Sequence, residues 1–119
     1  MVREVLCYSR EKRPMELLTL TSDYRKTPEK EQFIDALFPD SKLDPSTRPY
    51  VFDKPTIFLS ARVHPGETPA SYVLDGILQF LLAGTDQSQI LLDKFVFKII
   101  PILNPDGVYR GYFRLDTLA

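Results

Sequence analysis

The 119-residue sequence predicts an α/β fold with an N-terminal hairpin and a right-handed β-α-β unit. Three observations carry that prediction. Two short apolar runs at the front, residues 3–9 and 15–21, are parted by the polar residues 10–14. Two mostly apolar runs, residues 56–63 and 95–103, stand further along. Between that second pair lies an apolar stripe at helical spacing, formed by Ala70, Val73, Leu74, Ile77, Leu78 and Leu81.

A polar turn between two apolar runs reads as a β-hairpin. Thr27-Pro28 followed by Phe33, Ile34, Leu37 and Phe38 predicts a short helix, with Thr27 as its cap and Pro28 in its first position. Residues 39–49 carry Pro39, Asp40, Ser41, Asp44, Pro45, Ser46 and Pro49, which is loop chemistry. The run 56–63 reads as a strand covered on both faces. Thr68-Pro69 opens the helix that carries the stripe, and Gly84 is placed to stop it. Residues 86–93 add a short second helix. The run 95–103 is another buried strand, although Pro101 argues against a central place in the sheet. Strand, helix and strand in succession imply parallel strands joined by a right-handed crossover.

Charge and composition narrow the function. Fifteen basic residues against sixteen acidic ones give a formal net charge of −1, so there is no basic field to grip nucleic acid. No apolar run approaches the roughly 20 residues that cross a bilayer, and the N-terminus turns polar too soon for a secretory signal. Cys7 is the one cysteine and can form no intrachain disulfide, which fits a reducing, cytosolic setting. Lying in a strand and far in sequence from any histidine, it reads as a buried structural thiol. There is no Gly-x-Ser-x-Gly, phosphate-binding glycine loop or Cys-x-x-Cys, so serine nucleophiles and nucleotide binding find no support.

The predicted topology nominates a site. His64-Pro65-Gly66-Glu67 follows the first strand of the β-α-β unit and Asn104-Pro105-Asp106-Gly107 follows the second. In an open α/β sheet both loops lie at the edge where ligands bind. His64, the single histidine, and Glu67 are three positions apart across a Pro-Gly turn, and zinc accepts such a nitrogen and oxygen pair. The same spacing also fits a surface histidine and a glutamate that only favours the positive end of a helix. Asn104 to Gly107 alone fits a type I turn. Arg110 and Arg114, downstream, fit either a carboxylate- or carbonyl-binding role or plain solvation. The basic turn at Arg10, Lys12 and Arg13 reads as a solvated surface.

Together the strings Ala61-Arg62-Val63-His64-Pro65-Gly66-Glu67-Thr68-Pro69-Ala70-Ser71 and Pro101-Ile102-Leu103-Asn104-Pro105-Asp106-Gly107-Val108-Tyr109-Arg110-Gly111-Tyr112-Phe113-Arg114-Leu115-Asp116 resemble the zinc carboxypeptidase family, in its cytosolic carboxypeptidase branch. Leu6-Cys7-Tyr8-Ser9, Leu17-Leu18-Thr19-Leu20-Thr21-Ser22 and Leu37-Phe38-Pro39-Asp40 fit the same branch, so the likeness spans nearly the whole chain. It implies a carboxypeptidase-like mixed sheet and one Zn2+, with His64 and Glu67 as two of its three protein ligands. It implies further that Arg114 polarises the scissile carbonyl and contacts substrate, and that Asn104 to Gly107 shapes the cleft floor. In that family zinc and a glutamate general base activate a water that attacks the terminal peptide bond. The implied substrates are polyglutamylated proteins such as tubulin, trimmed of C-terminal or branch-point glutamates in the cytosol.

The resemblance also implies that residues 1–119 are the N-terminal portion of the catalytic domain. The third ligand, the catalytic glutamate, the Asn-Arg pair that grips the substrate carboxylate and a preceding β-rich domain have no counterpart here. Two readings therefore stand: a part of a working metallocarboxypeptidase, or a truncated product that acts only as a binding or structural fragment. A third, an unrelated α/β binding module in which both motifs are only turns, is weakened by their joint occurrence.

Overall fold

The computed structural model describes residues 1–32 and 48–114. β1 (Val2–Tyr8) and β2 (Pro14–Leu20) pair antiparallel from Val2 opposite Thr19 to Tyr8 opposite Pro14, which is the expected hairpin. Its turn is closed by the Ser9 N–H donating to the Arg13 carbonyl at 2.8 Å and the Lys12 N–H to the Ser9 carbonyl at 3.0 Å. Cys7 is exposed on β1 rather than buried, because β1 is an outer strand of its sheet.

The helix expected to start at Thr27-Pro28 is not there. Both residues lie in β3 (Lys26–Lys30), which pairs antiparallel with β4 (Tyr50–Phe52). The registered pairs are Lys26 with Phe52 and Lys30 with Tyr50, with a shift between, so the missing N–H of Pro28 breaks no regular ladder. The Thr27 hydroxyl donates to the Val51 carbonyl at 3.0 Å and accepts from the Glu29 N–H at 3.3 Å, within a strand rather than at a helix start. The body of that expected helix, and the expected loop up to residue 47, lie outside the described residues.

Next come β5 (Thr56–Ser60), α1 (Pro69–Leu82), α2 (Asp86–Lys94), β6 (Val96–Ile100) and α3 (Pro105–Arg110). The four-stranded sheet runs β1-β2-β6-β5, with β5 parallel to β6 and the other two pairings antiparallel. The expected parallel pair is therefore present. Its placement differs from expectation in two ways. β6 is an interior strand, because Pro101 falls one residue past its paired stretch and costs it no ladder bond. β5 is the outer strand, and alternate residues Thr56, Phe58 and Ser60 are exposed, so it is covered on one face only.

One face of the sheet carries the core. Leu18, Leu20, Phe97 and Ile99 are buried there, with Ile57 and Leu59 beside them, against Leu74 and Leu81 of α1 and Leu91 and Leu92 of α2. Each fully buried Leu or Ile contributes roughly 1.5–3 kcal/mol. The predicted stripe on α1 packs as expected except for Val73, which is 65% exposed. α1 ends at Ala83, and Gly84 follows with φ +69. α2 is capped by the Thr85 hydroxyl, which accepts from the Ser88 N–H at 3.2 Å. Lys54 ties the lower end of the sheet to α2: its ammonium donates to the Thr21 hydroxyl at 2.7 Å, the Ser22 carbonyl at 2.9 Å and the Leu92 carbonyl at 3.0 Å.

Candidate functional site

Past the ends of β5 and β6 the two chains remain bonded to each other. The Ala61 N–H donates to the Ile100 carbonyl at 3.1 Å, the Leu103 N–H to Ala61 at 2.9 Å and the Asn104 N–H to Arg62 at 3.1 Å. The Asn104 side-chain amide reaches the Val63 carbonyl at 3.4 Å. The sequence-nominated loops therefore share one edge of the sheet, at the carboxyl ends of both parallel strands, as that topology requires.

Between Arg62 and α1 the chain makes consecutive tight turns. The Glu67 N–H donates to the His64 carbonyl at 3.1 Å, which puts the two residues at the ends of one turn. The Thr68 N–H then donates to Gly66 at 2.8 Å and the Ala70 N–H to Glu67 at 3.1 Å, feeding directly into the helix. Thr68 precedes α1 in a helical conformation without a side-chain cap bond, and Pro69 takes the first helical position. His64 is half-buried and Glu67 exposed.

Arg62 starts this segment in the left-handed region, with φ 58. For a residue bearing a Cβ that conformation costs on the order of 1–2 kcal/mol. Its guanidinium folds over the turn: Nε and Nη2 donate to the Pro65 carbonyl at 3.0 and 2.7 Å, and Nη1 donates to the Ser71 hydroxyl at 2.9 Å. Nothing in the sequence flagged Arg62, because arginine is not a residue type that signals a left-handed turn.

Asn104-Pro105-Asp106-Gly107 is more than a turn. It opens α3, with the Asn104 side-chain oxygen accepting from the Gly107 N–H at 3.0 Å and Pro105 in the first turn. Asp106 is 7% exposed and reaches the hairpin turn on the far side of the sequence. It accepts from the Ser9 hydroxyl at 2.7 Å, the Arg13 guanidinium at 2.8 Å and the Glu11 N–H at 3.1 Å. Burial pushes the Asp106 carboxyl up, but the bonds from Ser9, Arg13 and Glu11 outweigh it and hold the group below the ordinary carboxylate range. Arg13 also stacks over the Tyr109 ring at 3.8 Å, and the Arg110 Nε donates to Glu11 at 2.6 Å. Arg13 and Arg110 are thus engaged rather than merely solvated. Sequence reasoning missed this cluster because its partners lie 93 or more positions apart.

α3 ends at Gly111, φ +70, and the chain turns back across the 64–66 turn. The Gly66 N–H donates to the Phe113 carbonyl at 2.7 Å, and His64 Nδ1 lies 3.1 Å from the Arg114 carbonyl. What the fold brings to His64 is therefore the backbone of Arg114, while the Arg114 side chain is exposed. A carbonyl oxygen only accepts, so in the neutral ring Nδ1 carries the proton and Nε2 holds the lone pair. Nδ1 becomes available to a metal only when the Arg114 carbonyl moves off it.

The donor chemistry fits part of a zinc site. One imidazole nitrogen and one carboxylate on a single turn match zinc's mixed nitrogen and oxygen preference, and a backbone carbonyl holding the second ring nitrogen is the usual support for a ligating histidine. Among the described residues no group of three His, Cys, Asp or Glu side chains comes together. A zinc ion supplies a Lewis acid toward a peptide carbonyl and water.

Comparisons with known proteins agree with this geometry. The zinc carboxypeptidase family (peptidase M14) matches residues 2–114. Human cytosolic carboxypeptidase-like protein 5 is 48% identical over 117 residues, which is 97% of this chain and 13% of that protein. Cytosolic carboxypeptidase 6 of Caenorhabditis elegans is 52% identical over 66 residues, 56% of this chain and 14% of that protein. Among solved structures, the metallo-carboxypeptidase from Burkholderia cenocepacia superposes with a TM-score of 0.65 at 30% identity, covering 97% of this chain and 25% of that one. The chain thus spans a small part of each relative's length. The paired loops at one sheet edge, the histidine and glutamate on a single turn and a family match over nearly every residue lead to one conclusion: the chain belongs to the zinc carboxypeptidase family.

Proposed function

We infer that residues 1–119 are the N-terminal portion of a cytosolic metallocarboxypeptidase catalytic domain that removes C-terminal or branch-point glutamates from polyglutamylated proteins such as tubulin. The observation that carries this reading is the turn joining His64 and Glu67 at the carboxyl end of β5, with the Asn104 loop and the 111–114 segment folded onto it. In this reading His64 and Glu67 hold two positions on one Zn2+, and the remaining protein ligand and the general base come from residues outside this chain. The Arg114 side chain, exposed beside the turn, binds the scissile carbonyl and stabilises the oxyanion. The relatives named as cytosolic carboxypeptidases support the cytosolic setting and the carboxypeptidase reaction. No helix among the described residues is long and apolar enough to cross a membrane. Microtubule association follows only if tubulin is the substrate.

A chimaera tests the reading. Residues 1–114 replace the matching segment of human cytosolic carboxypeptidase-like protein 5, and glutamate release is measured from a peptide ending in several glutamates. The chimaera is expected to release glutamate, and His64→Ala, Glu67→Ala and Arg114→Ala to abolish release while the protein remains folded. A folded chimaera without activity, or one indifferent to His64→Ala, contradicts it. The 119-residue chain alone is expected to release none, and release by that chain lost on His64→Ala would show that no further ligand is needed.

A further inference from the structure

We propose that Arg62 is a positioning residue for the His64–Glu67 turn: its forked guanidinium clamps Pro65 to Ser71 and so sets the two ligands one turn apart before any metal arrives. The inference rests on the reading of His64 and Glu67 as metal ligands.

Backbone and side chain of Arg62 point the same way. With φ 58, Arg62 occupies a conformation that glycine takes freely and an arginine takes only when its contacts outweigh the cost. Those contacts all go to the turn and the first turn of α1: two donors to the Pro65 carbonyl and one to the Ser71 hydroxyl. None of these hydrogen bonds reaches the core cluster of Leu18, Leu20, Ala61, Leu74, Leu81, Phe97 and Ile99 that holds sheet and helices together, although Ala61 precedes Arg62 in the chain. The Arg62 backbone carbonyl meanwhile accepts from the Asn104 N–H at 3.1 Å, so the same residue fixes the turn against the second loop of the site. His64 lies between the anchored residue and the clamped one, and Glu67 lies between Pro65 and Ser71. Both candidate ligands therefore sit inside the span that the guanidinium closes. Lysine keeps the charge but carries all its donors on one nitrogen, so it lacks the rigid planar spacing with which Nε and Nη2 hold the Pro65 carbonyl while Nη1 reaches Ser71.

The test uses the 119-residue chain with cobalt(II) as probe. Amide hydrogen exchange at Gly66 and Glu67 and the cobalt midpoint read from paramagnetic broadening are compared for the parent, Arg62→Gly, Arg62→Lys and His64→Ala. Arg62→Gly, which relieves the backbone conformation while removing the clamp, is expected to speed exchange at Gly66 and Glu67 roughly tenfold or more and to leave Leu20 and Ile99 unchanged. It is expected to raise the cobalt midpoint by roughly tenfold, with no fall in thermal midpoint. Arg62→Lys is expected to follow Arg62→Gly in exchange and cobalt midpoint but to lower the thermal midpoint, because it keeps a Cβ at φ 58 without the clamp. Exchange and cobalt midpoint within about twofold of the parent in Arg62→Gly would overturn the proposal, as would exchange rising equally at Leu20 and Ile99. A cobalt midpoint unmoved by His64→Ala would instead overturn the ligand reading, while the exchange at Gly66 still judges the clamp.

Discussion

The Gly66 N–H donates to the Phe113 carbonyl at 2.7 Å, and a Cβ on Gly66 would fall 2.7 Å from that same oxygen. The absence of a side chain at residue 66 is what lets the 111–114 segment lie across the His64–Glu67 turn and bring the Arg114 carbonyl to His64. The exposed Phe113 ring can swing aside from an added methyl, but the backbone oxygen moves only if the segment moves. Gly66→Ala is therefore expected to break the crossing and cost about 1–3 kcal/mol in chemical denaturation. It is also expected to free the His64 ring, read as loss of the protected Nδ1 proton in nuclear magnetic resonance. An unchanged midpoint with that proton retained contradicts the assignment.

Asp106 joins α3 to the hairpin turn through Ser9, Glu11 and Arg13, and these bonds hold its carboxyl below the ordinary carboxylate range against the opposing effect of burial. A carboxyl with a depressed folded-state pKa contributes stability that is complete above its unfolded pKa and is lost as pH falls through the folded one. Stability is thus expected to decline on the acid side of the ordinary aspartate value. Asp106→Asn is expected to lower the thermal midpoint at neutral pH and to flatten that acid limb. Parallel pH profiles for parent and variant would count against the role.

Lys98 lies on the sheet face away from the core, opposite Thr19, and its ammonium donates to the Thr19 hydroxyl at 2.9 Å. Burial lowers its pKa; Glu4 and Glu31 oppose the shift and Arg48 adds to it. The folded state then binds fewer protons than the unfolded chain between the lowered value and the ordinary one near 10.5, so stability rises with pH across that window. Lys98→Met is expected to unfold at the same or a higher denaturant midpoint at pH 7 and to abolish the alkaline rise. A lower midpoint at pH 7 would show that the Thr19 bond outweighs burial.

Much of this was legible in the sequence, and the exceptions have physical reasons. The hairpin and the β-α-β unit announced themselves through periodicity, because each buries one face on a shared core. Thr27-Pro28 misled because the same pair that opens a helix also suits a strand with an irregular ladder. Val73 matched the stripe but lies at its margin, and three-residue spacing cannot tell margin from centre. The site loops were placed correctly because parallel strands force their carboxyl ends to one edge. Arg62, Asp106 and Arg13 stayed hidden: the first acts through a backbone angle that its residue type does not signal, and the others through partners distant in sequence.

A zinc titration of the 119-residue chain, followed by amide and imidazole resonances, is the decisive test of the proposal that His64 and Glu67 form part of a metal site on one turn. Weak one-to-one binding is expected, far short of a closed structural zinc site. Perturbations are expected to centre on residues 62–67 and 113–114, abolished by His64→Ala and strongly weakened by Glu67→Ala. Tight stoichiometric zinc that survives His64→Ala, or perturbations that bypass the turn altogether, would contradict it.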